Sequence, residues 1–222
     1  MNQSKPVKSL RIELRWSAVL AVVVLWALER GLPNRFRLFP YGFDFILFAT
    51  VLIPMLAVGL TAGTTRWLRI ERVTTWLFVG AVGSITLANL AVLIQEMLFG
   101  GGQLNAIELL ASGIAIWVSN VVTFSLAFWH VDRGGPEARL NRLPIRADWF
   151  FPQEGVPDTV RPDWRPTFID YLFLGFSTAT AFSPTGAIPL SARAMLLMML
   201  ESSISLLTIA VIAARAINIL GS

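Results

Sequence analysis

The chain has 222 residues, of which 55% are apolar and only 14% are charged, and its formal net charge is +4. These proportions are typical of an integral membrane protein and exclude an ordinary soluble domain or a disordered chain. With no cysteine and one histidine, His130, the chain forms no disulfide and cannot assemble the usual kind of zinc site within one copy. Its basic residues are spread over several loops, which favours contact with anionic lipid over nucleic acid.

The first predicted element is an apolar helix at residues 16–28. It follows four basic residues, Lys5, Lys8, Arg11 and Arg15. This order resembles a signal peptide, but Glu29 and Arg30 stand where a cleavage site would need small residues, so we expect a retained helix. The run is shorter than the roughly 20 residues of a bilayer-crossing helix, and crossing, interfacial placement and tight packing all remain open.

Three longer apolar segments predict transmembrane helices at residues 43–62, 74–98 and 107–129. Each is near or above the roughly 20 residues that a bilayer requires. Charged and helix-breaking residues mark the connections: Arg66, Arg69 and Arg72 before the second segment, glycines at 100–102 before the third, and Gly134, Gly135 and Pro136 after it.

Residues 131–166 form a polar linker of mixed charge that also carries aromatic residues. This composition predicts either an ordered belt at the level of the lipid headgroups or a solvated loop with a few interfacial anchors. Thr167 and Asp170 then stand three positions apart before an apolar run, the arrangement of a capping box. We expect them to cap the next helix, so Asp170 needs no bound ion to explain it.

The next element is a short apolar helix at residues 168–179 that leads into a turn rich in proline and glycine. Even extended to residue 182 it would rise only about 22 Å, less than the roughly 30 Å of the hydrocarbon core. Pro184, Gly186 and Pro189 oppose its continuation as a helix. We therefore expect a re-entrant helix, with a turn that protein or water must surround.

The last predicted element is a long apolar helix at residues 192–215. Glu201 lies about 15 Å along it from Ser191, near the middle of a bilayer. At that depth an ionisable side chain is expected to face the protein interior, an oligomer interface or a watery cavity. Two roles remain open for Glu201: a functional group in an ion path, or a neutral carboxyl that holds helices together.

The spacing of the residues from Asp170 to Arg215 resembles the pore region of tetrameric potassium channels. Thr178, Thr180 and Pro189 match the pattern T-x-T-T-V-G-Y-G-D-x-x-P without a gap. The five filter positions are instead occupied by Ala181, Phe182, Ser183, Pro184 and Thr185. The resemblance implies a pore helix, a pore loop and an inner helix in a homotetramer that conducts monovalent ions. Because the filter pattern is absent, we expect poor discrimination between potassium and sodium.

Three further motifs resemble a group of uncharacterised bacterial integral membrane proteins. They are the A-F-S-P-T turn at residues 181–185, the D-R-G-G-P motif at 132–136 and the R-A-x-N-I-L pattern at 215–220. This resemblance spans most of the chain and implies a multi-pass protein of the plasma (inner) membrane. In that group an acidic residue often follows the turn, where this chain has Gly186.

The charge distribution conflicts with a channel-like orientation. If the N-terminus is cytoplasmic and four helices precede the linker, most arginines fall on the cytoplasmic side, as the positive-inside rule favours. A potassium-channel-like loop would instead enter from the outside. Three resolutions remain open: the loop enters from the cytoplasm, the segment crosses fully to Leu190, or the first helix does not span.

Together these features predict an all-α membrane protein with four transmembrane helices in residues 1–130, a polar interfacial linker in 131–166, and a pore-like helix, turn and long transmembrane helix in 167–222. The predicted function is an ion-channel-like protein with a degenerate filter, formed as a homo-oligomer because one such unit cannot enclose a pore. The alternative is a non-conducting membrane scaffold or accessory subunit. Neither interpretation calls for a cofactor, a metal or a catalytic residue, because nothing places a base beside Ser177 or Ser183.

Overall fold

The structure is a computed structural model that describes residues 15–36, 42–61, 65–99, 106–141, 143–156, 158–161, 164–180 and 186–220. The basic stretch before Arg15, the glycines at 100–102 and the turn at 181–185 lie outside these residues. The helices are α1 (Trp16–Gly31), α2 (Phe43–Leu60), α3 (Thr65–Phe99), α4 (Ala106–Val131), α5 (Pro136–Leu140), α6 (Phe168–Ala179) and α7 (Ala192–Leu220). Strand β1 (Trp149–Phe150) pairs antiparallel with strand β2 (Ile188–Pro189).

Four of the described helices are long and apolar enough to cross a membrane: α2, α3, α4 and α7. Their apolar stretches are Phe43–Leu60, Arg66–Met97, Ile107–Gly134 and Ala192–Ala214. The prediction of an all-α protein with these spans is therefore confirmed. Helix α1 has 16 residues, or about 24 Å, so its crossing stays a prediction.

The predicted start of the second long span at residue 74 is wrong, because α3 already begins at Thr65. Arg66, Arg69 and Arg72 thus belong to the helix and not to the connection before it. Arginine, leucine and glutamate are good helix formers, which favours this extension. It is also held in place by Glu71, whose buried carboxylate accepts a hydrogen bond of 2.8 Å from Arg15 Nη2.

One end of the helix bundle, here called the linker end, brings together elements that are distant in sequence. Arg15, at the start of α1, forms ion pairs with Glu71 of α3 and Glu137 of α5. The ring of Trp129, near the end of α4, lies 5.8 Å from the ring of Phe168 at the start of α6. The starts of α1, α3 and α6 and the end of α4 therefore share this end of the bundle.

The opposite end is fixed by its own contacts. Arg30 Nη1, in the last turn of α1, donates a hydrogen bond of 3.1 Å to Asp44 Oδ2 at the start of α2. Near the start of α4, a Cβ added at Gly113 would lie only 2.6 Å from Ile212 Cγ1 of α7. Helix α7 therefore runs from the linker end to the opposite end against α4.

Helix α4 is the central helix of the bundle. Of its most apolar stretch 67% is buried, against 28%, 33% and 22% for α2, α3 and α7. Helices α1, α3, α6 and α7 all pack on it. Because α4 is enclosed by protein, its polar side chains must find partners inside the bundle.

Part of the linker is an ordered, buried segment and not a solvated loop. Trp149 in β1 is fully buried, and Phe151 is nearly so, with its ring 5.3 Å from that of Tyr171 in α6. The pairing of β1 with β2 joins the linker to the segment that precedes α7. The placement of this segment at the headgroup level stays a prediction.

Helix α6 has the predicted bounds and the predicted cap. Asp170 Oδ2 accepts hydrogen bonds from the Thr167 backbone N–H at 2.7 Å and from the Thr167 hydroxyl at 2.8 Å. The helix begins at Phe168 and ends at Ala179, and it contains 12 residues in all. The structural role predicted for Thr167 and Asp170 is confirmed.

Replacing Asp170 by alanine is expected to lower the free energy of unfolding by about 1 kcal/mol, the usual cost of losing a helix cap. The measurement is thermal unfolding of the purified protein in one detergent. Asp170→Asn is the matched control, because its amide oxygen still accepts the bond from the Thr167 N–H. Equal stabilities of the alanine variant and the wild type would contradict the prediction.

Candidate functional site

The candidate site is a group of four polar residues and one glycine enclosed by α4, α6 and α7. It consists of Asn120 and Ser125 of α4, Gly175 of α6, and Glu201 and Ser205 of α7, and is called the Glu201 cluster below. The two α7 residues are four positions apart and therefore lie on the same face of their helix. Both are fully buried, so this polar face of α7 is directed into the protein.

Glu201 has no exposed surface, which confirms the prediction that it points into the protein. It lies nine positions into α7, about 14 Å from the linker end of that helix. Among the described residues, neither of its carboxyl oxygens has a hydrogen-bond partner. An unpaired polar group in such surroundings is costly, so this carboxyl needs an explanation beyond packing.

Helix α6 passes very close to this carboxyl at Gly175. A Cβ added at Gly175 would lie 2.4 Å from Ser125 Oγ, 3.1 Å from the Val121 carbonyl oxygen and 3.2 Å from Glu201 Oε1. A methyl group does not fit at these distances. Glycine is therefore required where the three helices meet.

Asn120 joins α4 to α7 beside Glu201. Its Nδ2 donates hydrogen bonds to the backbone oxygen of Glu201 at 3.2 Å and to Ser205 Oγ at 3.1 Å. These bonds hold the α7 backbone in place without reaching the Glu201 carboxyl. The cluster thus positions the carboxyl firmly but leaves its oxygens unpaired among the described residues.

The last turn of α6 lies at the depth of the cluster. Ser202 Oγ donates a hydrogen bond of 3.3 Å to the Thr178 carbonyl oxygen, so this turn is beside the residue that follows Glu201. The hydroxyls of Thr178 and Thr180 donate to the carbonyls of Leu174 and Phe176 within α6. The other predicted filter-like residues, Ala181, Phe182, Ser183, Pro184 and Thr185, lie outside the described residues.

Asp132, directly after α4, anchors the linker to α6. Its side chain is fully buried. Its Oδ1 accepts a hydrogen bond of 2.8 Å from the Asp148 backbone N–H, and its Oδ2 accepts one from the Tyr171 hydroxyl. Burial, together with the neighbouring Asp132 carboxylate, raises the pKa of Tyr171, so the phenol keeps the proton that it donates.

Asp148 connects the same linker to α7. Its side chain accepts hydrogen bonds from Ser191 Oγ at 2.6 Å and from Arg193 Nε and Nη2 at 2.5 and 2.6 Å. Its backbone oxygen accepts a further bond of 2.7 Å from the Leu190 N–H. Asp132 and Asp148 together fix the starts of α6 and α7 at the linker end.

These two aspartates were not among the site residues predicted from the sequence. A signal for Asp148 does exist in the sequence, because Arg193 stands in the first turn of an apolar helix. A cation there is unfavourable with the helix dipole, and it requires a nearby anion. The sequence does not indicate which acidic residue supplies it.

The four apolar helices define the chain as a multi-pass membrane protein. Comparison with protein-family models, with curated proteins and with solved structures finds no match. The two resemblances described above therefore stay predictions. Within the residues that the structure describes, no three histidine or acidic side chains are grouped as metal ligands.

Proposed function

We propose that this chain is an ion-conducting protein of the plasma (inner) membrane, in which α6 is re-entrant and forms an ion path with the turn after it and with α7. The observation that carries the proposal is that α6 ends inside the bundle, beside a buried carboxyl that lacks a described partner. The proposal follows the channel-like interpretation of the sequence and not the alternative of a non-conducting scaffold or accessory subunit.

The contacts of α6 and β2 support a re-entrant path. Phe168, at the start of α6, contacts Trp129 at the linker end, whereas Thr178 bonds to Ser202 about 15 Å along α7. By Ile188–Pro189 the chain is paired with β1 and is back at the linker end. The two ends of the segment between them therefore lie at the same face of the bundle, which supports the proposed re-entrant path.

The end of α6 favours a cation. The last carbonyls of a helix have no partners within it and carry the negative end of the helix dipole. In α6 one of these carbonyls, that of Thr178, accepts a hydrogen bond from Ser202, the residue after Glu201, at a depth where non-helical backbone must be buried by protein or line a watery cavity. The negative end of the helix dipole thus lies beside the acceptor oxygens of a carboxyl, an arrangement that favours cations, a proton among them.

The linker end is rich in arginine, which supports placing it in the cytoplasm. Arg66, Arg69 and Arg72 of α3 lie towards this end, as do the described arginines of the linker. By the positive-inside rule, the re-entrant segment then enters from the cytoplasm. The end of α6 at Ala179 speaks against the alternative in which this segment crosses fully to Leu190.

The proposed assembly is a homo-oligomer, a tetramer if it follows the channel-like arrangement. Exposed apolar side chains cover the outer faces of α6 and α7, among them Phe173, Phe176, Leu196, Met199 and Leu206. These faces are available to lipid or to further copies of the chain. In the proposed assembly, copies of the chain would contact one another through this side of the molecule.

In liposomes the purified protein is expected to conduct both potassium and sodium, with a bi-ionic reversal potential close to zero. Ser183 and Thr185 stand where a potassium filter has glycine, and Pro184 has no amide hydrogen to brace the loop. Protein-free liposomes are the control. A strongly potassium-selective potential would contradict the selectivity prediction. Folded protein without any flux would contradict the proposed function and favour the scaffold.

A further inference from the structure

We propose that Glu201 is an exchangeable proton-binding site, held as a neutral carboxylic acid that releases H⁺ to water and regains it. This inference names the ligand of the site described above. The inference of a proton site rests on the proposed function only for the route by which water reaches the carboxyl. The donors and acceptors around Glu201 carry it.

Of the donors described in the Glu201 cluster, those of Ser125 and Asn120 are already used, and no described donor reaches the carboxyl oxygens. The Ser125 hydroxyl donates its hydrogen to the Val121 carbonyl at 2.7 Å, which leaves only its lone pairs for other partners. Asn120 uses its amide group on the Glu201 backbone and on Ser205. A carboxylate requires donors, whereas a carboxylic acid brings its own O–H. These surroundings match the acid.

Charged partners for a carboxylate lie elsewhere. The described ionisable side chains of the helices packed around Glu201 lie towards the helix ends: Arg66, Arg69, Glu71, Arg72 and Glu96 in α3, Glu108 and His130 in α4, Asp170 and Tyr171 in α6, and Arg193 in α7. The groups nearest the linker end are engaged there, as Arg193 is with Asp148 and Tyr171 with Asp132. Burial with no charged partner among the described residues therefore favours the uncharged form of the Glu201 carboxyl.

The close packing favours a proton over a metal cation. Hard metal cations are held by several oxygen ligands at once. At Glu201 the α6 backbone approaches so closely that even a methyl group on Gly175 would overlap Ser125 Oγ. A proton needs no such cavity, because it binds one carboxyl oxygen and is shared with one acceptor.

The exchange step is a simple proton transfer. The Glu201 O–H bond breaks, its electron pair stays on the carboxylate oxygen, and a water molecule near the end of α6 becomes hydronium. In the reverse step a hydronium ion returns the proton and leaves as water. If the proton is taken up from one side of the membrane and released to the other, the two steps together move H⁺ across the membrane.

Infrared spectroscopy of the reconstituted full chain tests the site itself. At neutral pH the wild type is expected to show the C=O stretch of a protonated carboxylic acid that Glu201→Gln lacks. This band should shift when H₂O is replaced by D₂O and should give way to carboxylate bands at alkaline pH. Glu108→Gln, at an exposed position in the first turn of α4, is the matched control and should leave the band unchanged.

Two results would overturn the inference. The absence of a Glu201-dependent acid band would mean that the carboxyl is ionised. A band that does not shift in D₂O would mean a neutral carboxyl that serves only packing. Glu201→Asp is a second test in case the glutamine variant misfolds. It keeps a carboxylic acid, so its C=O band should appear at a different frequency and should still shift in D₂O.

Ion flux separates this inference from the proposed function. In liposomes that contain a pH-sensitive dye, wild-type protein is expected to pass H⁺, and Glu201→Gln is expected to fall to the level of protein-free liposomes. If the exchangeable band is present without any flux, the proposed function fails and the proton site stands. If potassium and sodium pass while the band is missing, the proton site fails and the conducting function stands.

Discussion

Replacing Asp132 by alanine is expected to lower the free energy of unfolding by about 2–6 kcal/mol, because each of two buried donors left without its acceptor costs about 1–3 kcal/mol. Asp132 is fully buried and accepts bonds from the Tyr171 hydroxyl and the Asp148 N–H. The variant leaves both donors inside the protein without their acceptor. The linker and the start of α6 should loosen together.

Chemical or thermal unfolding in a single detergent, followed by tryptophan fluorescence, measures this loss. Tyr171→Phe removes one donor and should cost about 1 kcal/mol. Asp132→Asn keeps one acceptor oxygen, so its loss of unfolding free energy should lie between those of Asp132→Ala and Tyr171→Phe. Asp158→Ala, at an exposed linker position, should change stability little. If Asp132→Ala and Asp158→Ala unfold alike, the Asp132 network does not stabilise the fold.

Replacing Gly175 by alanine is expected to lower the free energy of unfolding by about 1–3 kcal/mol, the range found when a packed core receives an extra carbon. The new methyl group would lie 2.4 Å from Ser125 Oγ and 3.1 Å from the Val121 carbonyl oxygen, so the Ser125 side chain or α6 itself would have to shift. Gly80→Ala is the matched control, because its Cβ position in α3 has no described atom within 4 Å.

The closest overlap should be relieved by a second substitution. In Gly175→Ala/Ser125→Ala the Ser125 Oγ is gone, and we expect the double variant to recover much of the lost stability. The two single variants and the double variant form a cycle, whose coupling should clearly differ from zero because the residues are in contact. Additive effects would show that α6 does not approach Ser125 as the structure indicates.

The parts of the fold that depend on local sequence were predictable. Runs of apolar residues give the long helices because bilayer thickness sets their length. The start of α6 follows from Thr167 and Asp170, and the orientation of Glu201 follows from the cost of exposing a carboxyl to lipid. Each of these inferences needs only neighbouring residues and the properties of the bilayer.

The linker contacts were not predictable in the same way. Asp132 and Tyr171 are 39 positions apart, and Asp148 and Arg193 are 45 apart. No periodicity connects residues at such distances, because their pairing depends on how α4, α6 and α7 pack. Strands of two residues, such as β1, also give no recognisable pattern. The early start of α3 was missed because its arginines resemble a loop, although Glu71 is buried within the helix.

At 12 residues, α6 is about 18 Å long and is too short to enter a bilayer on its own as it emerges from the ribosome. The helix that covers one of its faces, α7, is synthesised only afterwards. If α6 is re-entrant as proposed, its insertion follows that of α4 and α7, and packing against these helices draws it inward. Under the same proposal, biogenesis ends with a folding step inside the membrane, for which the linker holds both ends of the incoming segment at one surface.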